Sequence, residues 1–199
     1  MRDKPYSESC DQNRTPILAI LREVFADRRQ LLEIGSGTGQ HAVYFGAALA
    51  HVHWQTADVR EYHPGIHAWL AEAALPNVVS PLELDVNHTD WHSGRYDAVF
   101  SANTLHIMSW PDVEMCFEGV GQVLEPGGVL VVYGPFNYHG QFTSESNARF
   151  DQWLKARDPA SGVRDFEAVD ALACKQGLTL VQDYAMPANN RMLVWVKAA

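Results

Sequence analysis

The chain contains 199 residues, and hydrophobic residues make up 47% of them. A chain of this length and composition can bury a sizeable core in one domain, which argues against disorder. Its 15 Lys and Arg residues stand against 24 Asp and Glu residues, so the net charge is −9. Because no basic run with interleaved aromatic residues offsets this charge, we expect no nucleic acid partner.

The cysteines and histidines show no metal-site spacing. Cys10, Cys116 and Cys174 are far apart, and an odd number of cysteines suits a reducing compartment. His63 and His67 have the i, i+4 spacing of a helical pair, but no third ligand lies near, so we predict no metal. A polar start and the lack of an apolar stretch of about 18 residues predict a cytoplasmic protein with no membrane partner.

Strand and helix patterns alternate along the chain. After a polar, extended start, residues 16–25 carry an apolar stripe at helical spacing, with Pro16 in the first turn. Helical periodicity returns at residues 40–50, 64–74 and 111–124. Apolar runs typical of buried parallel strands lie at residues 31–34, 52–57, 78–84, 96–102 and 129–133.

The composition changes after residue 133. Residues 134–165 are rich in Gly, Asn, Ser, Phe and His and resemble an insertion with a short helix at 146–155. A helix at 166–176 and two final strands, at 178–183 and 192–197, follow it. The alternation predicts a parallel α/β sheet in one domain over residues 1–199, with residues 1–28 as an N-terminal arm and helix.

A glycine-rich loop follows the first strand. Glu33 closes the strand, and Gly35, Gly37 and Gly39 come at alternate positions before the next helix. Strand, glycine loop and helix form the unit that binds the nucleoside end of a cofactor in doubly wound proteins. A dinucleotide fingerprint would place its third glycine at position 40, which is Gln40, so the pattern points away from NAD. The alternative is a tight strand–helix turn without a ligand.

This E-x-G-x-G-x-G pattern resembles motif I of the class I methyltransferases that use S-adenosylmethionine. The resemblance implies a Rossmann-like α/β fold: a seven-stranded, mostly parallel sheet with its last strand antiparallel and helices on both faces. It implies S-adenosyl-L-methionine as the cofactor. It also implies that the methionine end of the cofactor is held by Glu33, Gly35, Ser36, Gly37 and Gly39.

Three further strand ends carry candidate cofactor residues. Asp58 closes the second strand, where a carboxylate can accept both ribose hydroxyls; the alternative is a helix cap or a loop acid. The resemblance implies that Asp85 accepts from the adenine amino group and that Val86 offers its backbone N–H to the ring. Asn103, which ends the fourth strand, matches motif IV, which lies beside the methyl group.

Later segments resemble an uncharacterised methyltransferase-like family found in bacteria and animals. The shared motifs are GQHAVYF after the loop, YGPF after strand five, the SNARFD and GVRD segments, and MPANN between the last two strands. In this fold the late motifs overhang the edge of the sheet where the methyl group lies. We therefore expect residues 134–165 to form the acceptor pocket.

Methyl transfer requires alignment, and it requires a base where the acceptor is protonated. His106 is the candidate base, since a histidine pKa lies near neutrality, and a packed histidine is the alternative. Tyr133 is the candidate to hold the acceptor or the sulfonium, with a core aromatic as the alternative. The candidate substrate-binding residues are Asn13, as a lid over the methionine carboxylate, and Asn147, Arg164 and Asn190 at the acceptor.

These residues favour a methyltransferase with a small-molecule acceptor. Two alternatives stay open: an enzyme of the same fold that uses S-adenosylmethionine for other chemistry, and a non-catalytic cofactor-binding scaffold. Arg164 suits a carboxylate or phosphate, or else it pairs with Asp165 or caps the next helix. Phe150, Trp153 and Trp69 are predicted to be core aromatics, with an aromatic cage as the alternative. The acceptor and the oligomeric state stay open.

Overall fold

The computed structural model describes residues 4–88, 91 and 94–199. In this part of the chain the helices are α1 (Glu8–Val24), α2 (Gln40–Ala48), α3 (His63–Ala73), α4 (Trp110–Val123), α5 (Glu145–Arg157) and α6 (Phe166–Lys175). The strands of the main sheet are β1 (Gln30–Ile34), β2 (His53–Asp58), β3 (Val78–Glu83), β4 (Tyr96–Ala102), β5 (Leu124–Gly134), β6 (Leu178–Met186) and β7 (Asn190–Lys197). Two short strands, Phe136–Asn137 and Arg164–Asp165, pair with each other in parallel.

The main sheet has seven strands in the order β3-β2-β1-β4-β5-β7-β6. Strand β7 runs antiparallel to both β5 and β6, and the other neighbouring pairs are parallel. The predicted seven-stranded, mostly parallel sheet with an antiparallel last strand is therefore confirmed. Because β1, β2, β4 and β5 point the same way, the loops that follow them meet at one edge of the sheet.

Two hydrophobic clusters cover the two faces of the sheet. Side chains alternate between faces along a strand, so Leu31 and Leu32 of β1 belong to different clusters. Leu31 packs with residues of α1 and α2, such as Ile17 and Phe45, whereas Leu32 packs with residues of α4 and α6. The result is a three-layer α/β/α arrangement. None of the helices that the structure describes is long and apolar enough to cross a membrane.

Helix α1 begins earlier than the sequence predicts. It starts at Glu8, so the extended start ends there and Pro16 lies inside the helix instead of in its first turn. A proline inside a helix removes one backbone hydrogen bond. Tertiary contacts offset that loss, since α1 buries Ile17, Leu18 and Leu21 against α2 and the sheet.

Three strand boundaries also differ from the prediction. Strand β5 begins at Leu124, which pairs with Tyr96, and residues 125–128 form a bulge before pairing resumes at Val129. Strands β6 and β7 pair up to Met186 and Asn190, which leaves a three-residue turn where the sequence predicts a longer loop. Backbone pairing continues here without an apolar pattern, so side-chain periodicity underestimates the strands.

Candidate functional site

The glycine loop after β1 turns through positive φ at Gly35 (+72°), Gly37 (+58°) and Gly39 (+88°). A Cβ on Gly35 would lie 2.6 Å from Thr104 Oγ1, so a side chain there would collide with the loop after β4. For Gly37, by contrast, the nearest atom to such a Cβ is Gly35 O at 4.0 Å. The loop thus packs tightly against its neighbours at one glycine and leaves open space at the next.

Glu33 lies beneath this loop and braces it. Its carboxylate Oε2 accepts hydrogen bonds from Ser36 Oγ (2.8 Å) and Trp54 Nε1 (3.1 Å). Burial raises the pKa of the Glu33 carboxyl to about 7, because the charged form is poorly solvated there. Ser36 Oγ also accepts from Ala57 N at 3.1 Å, so the brace ties β1 to the end of β2.

Asp58 ends β2 beside the loop. Its Oδ2 accepts from Gly37 N at 2.7 Å, and its Oδ1 accepts from Val59 N at 2.8 Å. Burial raises the pKa of this carboxyl. Each carboxylate oxygen retains a second lone pair, so Asp58 can accept hydrogen bonds from two ligand hydroxyls without giving up its backbone contacts.

Two side chains at the start of α2 hold the N-terminal segment over the loop. Gln40 Oε1 accepts from Ser7 N (2.6 Å) and from Thr38 Oγ1 (3.0 Å). His41 Nε2 and Asn13 Oδ1 form a buried contact of 2.7 Å. Burial lowers the pKa of His41 to about 4, so its ring is neutral and donates to the Asn13 oxygen.

The segment before α1 is fixed to α3 as well. Trp69 Nε1 donates to Pro5 O at 2.7 Å, and Lys4 Nζ lies 3.5 Å from the centre of the Trp69 ring. A Cβ on Gly65 would come within 2.5 Å of Pro5 Cγ, so the segment needs a glycine in α3. We call residues 4–13 the N-terminal arm; several of its side chains border the cavity described below.

His106 lies in the loop after β4, with its side chain buried. Its ring meets the Phe150 ring edge-on, with centroids 5.2 Å apart. Burial lowers the pKa of His106 to about 4, and the nearby charge of Arg164 acts in the same direction. The imidazole is therefore neutral at physiological pH and can accept a proton.

Side-chain hydrogen bonds join α5 to the turn at residues 187–189; we call this set of contacts the clasp. Asn147 Nδ2 donates to Asn189 O and to Thr143 Oγ1, both at 3.0 Å, and Asn189 Nδ2 donates to Ser146 Oγ at 3.1 Å. Ala188 and Asn189 both have a φ of +57°. Asn tolerates this left-handed conformation, whereas Ala rarely adopts it, so the backbone strain of the turn lies at Ala188.

These parts enclose a cavity of about 810 Å³ at the carboxyl edge of the sheet. It extends from the N-terminal arm and the glycine loop to α5 and the 187–189 turn. Among the residues the sequence singled out, those that border it are Asn13, Gly35, Ser36, Gly37, Asp58, Asn103, His106, Tyr133, Asn147 and Asn190. Within the described residues, no group of three or more His, Cys, Asp and Glu is placed to hold a metal ion.

A family model described as "Protein of unknown function (DUF938)" matches residues 4–197. The chain belongs to the DUF938 family. Its sequence resemblance to an uncharacterised family thus agrees with a family match that spans nearly the whole chain, and the family description carries no activity.

Solved structures share the fold of this DUF938 protein. An O-methyltransferase family protein from Burkholderia thailandensis matches with a TM-score of 0.83 and 15% identity, over 93% of this chain and 56% of that one. The S-adenosylmethionine-dependent methyltransferase SibL matches with a TM-score of 0.81 and 20% identity, over 96% of this chain and 56% of that one. An O-methyltransferase family 2 protein from Planctomyces limnophilus, in complex with apigenin, matches with a TM-score of 0.75 and 14% identity, over 93% of this chain and 62% of that one. The DUF938 chain spans little more than half the length of these proteins.

Some predicted site residues of the DUF938 protein lie outside the cavity. Glu33 lies beneath the loop and accepts a hydrogen bond from Ser36. Gly39 packs against α3, where a Cβ would lie 3.1 Å from Ile66 Cα. Asp85 Oδ1 accepts from the backbone and side-chain nitrogens of Asn87, and Val86 is buried in the core. The segment that follows them, at residues 89–90 and 92–93, lies outside the described residues.

Arg164 does not occupy the predicted acceptor position. Its guanidinium donates to the backbone carbonyls of Leu105 (3.1 Å), Ala160 (3.0 Å) and Met108. It neither borders the cavity nor pairs with Asp165 as the alternative proposed. A guanidinium that bridges three carbonyls joins the loop after β4 to the segment before α6, so Arg164 is a structural link.

The prediction of core positions for three aromatic residues also needs correction. Phe150 and Trp153 border the cavity, and 51% of Trp153 is exposed, so neither ring belongs to the core. Their i, i+3 spacing on α5 is the available signal, because it places both rings on one side of a helix. Trp69 contacts the arm at Pro5, whereas Gln40 and His41 contact it at Ser7 and Asn13; no local sequence pattern reveals these roles.

Proposed function

We propose that this protein is an S-adenosylmethionine-dependent methyltransferase that acts on a small molecule. The single observation that carries the proposal is one cavity with two different ends. The cofactor half is formed by residues 35–37, Asp58, Asn103 and the N-terminal arm. The acceptor half is formed by His106, Tyr133, one side of α5 and the 187–190 segment. Six of the inserted residues 134–165 border it: Pro135, Ser146, Asn147, Phe150, Trp153 and Leu154.

The cofactor half fits an adenosyl ligand in its donor chemistry. Asp58 can accept from ribose hydroxyls, and Gly37 presents no side chain to a ligand at the loop. Asn13, Ser36 and the loop backbone would hold the methionine end, and we retain Asp85 and Val86 as the proposed adenine contacts. When bound, S-adenosylmethionine supplies a methyl group on a positively charged sulfur, which leaves the protein the task of alignment.

The acceptor half can position a nucleophile and take its proton. His106 is neutral, because its pKa is lowered to about 4, and its ring nitrogen can accept the acceptor's proton as that proton becomes acidic when the oxygen gains the methyl group. Burial raises the pKa of Tyr133, so its hydroxyl stays protonated and can donate a hydrogen bond to the acceptor. A side-chain contact with Asn190 orients that hydroxyl.

The first test is calorimetric titration with S-adenosylmethionine and S-adenosylhomocysteine. We expect micromolar binding of both compounds and loss of about tenfold or more in Asp58→Ala, which removes charge-assisted hydrogen bonds. Glu61→Ala is the matched control, because Glu61 is an exposed acid three residues away. Absence of binding to both compounds in the wild-type protein would rule out the proposal. Methylthioadenosine as the reaction product would indicate other chemistry on the same cofactor.

A further inference from the structure

The acceptor half of the cavity carries no formal charge among the described residues. Among the described residues, no Lys or Arg borders the cavity. Asp58, the carboxylate on the border, lies in the cofactor half. The bordering histidines, His41 and His106, are neutral because burial lowers the pKa of each to about 4. A charged group on an acceptor would therefore lose its hydration without gaining a counter-ion.

Cations on the elements around this half have other partners. Arg149 pairs with Glu145 at 3.7 Å, and Arg191 pairs with Asp183 at 2.7 Å. Arg164 donates to three backbone carbonyls behind His106. Lys155 pairs with Asp151 at 2.8 Å, and the Arg157 guanidinium lies 4.6 Å from the centre of the Trp153 ring. Recognition of an acceptor carboxylate or phosphate would require one of these groups to leave its present partner.

The side chains that border the acceptor half are aromatic, aliphatic or polar without charge. The Phe150 and Trp153 rings are stacked, with centroids 5.8 Å apart and planes 16° from parallel. Ile107, also on the cavity border, is 54% exposed. Tyr133, Asn147 and Asn190 add uncharged polar groups. Exposed aromatic rings beside a cavity gain most from contact with another flat, apolar ring.

From this arrangement we infer that the methyl acceptor is an uncharged, planar aromatic compound that bears no carboxylate, phosphate or ammonium group. Its ring packs against Phe150 and Trp153, and its polar atom reaches the neutral groups around His106 and Tyr133. The inference rests on the proposed function and names the class of acceptor for the same cavity. It excludes the acidic acceptor that Arg164 suggested from the sequence.

The test uses matched pairs of phenols that differ in one charged group. These are 2-naphthol with 6-hydroxy-2-naphthoate, 7-hydroxycoumarin with its 3-carboxylate, and 4-ethylphenol with tyramine. Binding to protein saturated with S-adenosylhomocysteine is measured by calorimetry or by saturation-transfer NMR. We expect the neutral member of each pair to bind about tenfold more tightly or better, since the charged member is desolvated without a partner.

Equal or tighter binding of the charged members would overturn the inference, and so would failure of every neutral ring to bind. Both results are distinct from failure of the proposed function, which would appear as no binding of S-adenosylhomocysteine.

Two variants test where the ring of the acceptor binds. Phe150→Ala should weaken binding of the neutral phenols about tenfold, whereas Phe142→Ala should leave it unchanged, because Phe142 is 43% exposed and does not border the cavity. Ile107→Lys adds a cation at an exposed border position and should shift the preference about tenfold toward the carboxylates. Unchanged binding in Phe150→Ala together with an unchanged preference in Ile107→Lys would place the acceptor elsewhere.

Discussion

The cofactor half of the cavity is shaped by a glycine turn whose backbone nitrogens bind side chains, whereas the acceptor half is joined by side-chain amides on two separate elements. In the first, Asp58 accepts from the backbone nitrogens of Gly37 and Val59, and positive φ angles at glycines set the turn. In the second, Asn147 and Asn189 join two elements through their amide groups. Backbone geometry survives most substitutions, while side-chain geometry changes with each of them. One fold can therefore keep its cofactor site and vary its acceptor site.

The largest expected effect comes from a substitution at Gly35, in the cofactor half. In Gly35→Ala the new Cβ meets Thr104 at 2.6 Å and the residue keeps a φ of +72°. We expect a loss of about 2 to 5 kcal/mol in the free energy of unfolding and loss of S-adenosylhomocysteine binding. Chemical denaturation and calorimetry measure the two effects.

Gly127→Ala is the matched control for Gly35→Ala. Gly127 has a φ of +75°, but no neighbouring atom lies within 4 Å of the place that a Cβ would take, so this variant carries backbone strain without a collision. We expect it to lose about 1 kcal/mol and to keep ligand binding. Adding Thr104→Ala to Gly35→Ala should recover part of the loss. Equal losses in the two single variants would show that the contact with Thr104 is unimportant.

The next effect tests the acceptor half through His106. His106→Gln removes the proposed base, so we expect kcat with the best neutral phenol to fall about 10²-fold while S-adenosylhomocysteine affinity stays the same. Because the pKa of His106 is about 4, the wild-type rate should show no inflection from this residue between about pH 6 and 8. His88→Gln, at an exposed position, is the control. An unchanged kcat would assign His106 to packing alone.

A substitution in the clasp tests whether the two halves bind their ligands independently. Asn147→Ala removes the amide that donates to both Thr143 and Asn189, so we expect a loss of about 1 to 3 kcal/mol in stability and weaker phenol binding. S-adenosylhomocysteine binding should be unchanged, because the cofactor half does not use this contact. Gln152→Ala, exposed on the same helix, is the control. Weakened binding of S-adenosylhomocysteine would mean that the two halves are coupled.

The last effect concerns Glu33, and at any one pH step it is small because it appears as a slope of stability with pH. Between about pH 4.5 and pH 7 the folded protein keeps a proton on Glu33 that the unfolded chain has released, because burial raises the pKa of the carboxyl. The free energy of unfolding should therefore fall as the pH rises through this window, by at most about 1.4 kcal/mol per pH unit from this group. Glu33→Gln removes that contribution.

Two buried histidines act in the opposite direction. His41 and His106 have pKa values lowered from 6.5 to about 4, so their contribution to stability rises with pH between those values. The difference between wild type and Glu33→Gln isolates the carboxyl, and Glu118→Gln, at an exposed site, is the control. Parallel stability curves for wild type and Glu33→Gln would contradict the assignment.

The strand and turn of the cofactor half could be predicted from sequence because their signals are local. A buried apolar run followed by Glu33 and alternate glycines specifies both the strand and the turn. The acceptor half could be predicted only in part. His106, Tyr133, Asn147 and Asn190 border the cavity as the strand ends and late motifs indicated, but the contacts that shape this half join residues that are distant along the chain. Arg164 contacts carbonyls near residue 105, and the exposure of Trp153 depends on where α5 packs. The early start of α1 has the same cause, since Gln40 and His41 hold the segment from another helix.

The N-terminal arm has a consequence for the order of events in turnover. Hydrogen bonds from Gln40 and Trp69 and the His41–Asn13 contact fix the arm over the cofactor half, whereas exposed Trp153 borders the other half. In the proposed methyltransferase, we expect a nucleoside beneath the arm to leave only after these contacts break, and an acceptor to exchange at the end that the arm does not cover. We therefore expect ordered kinetics in which the nucleoside binds first and departs last, with arm opening as the slow step.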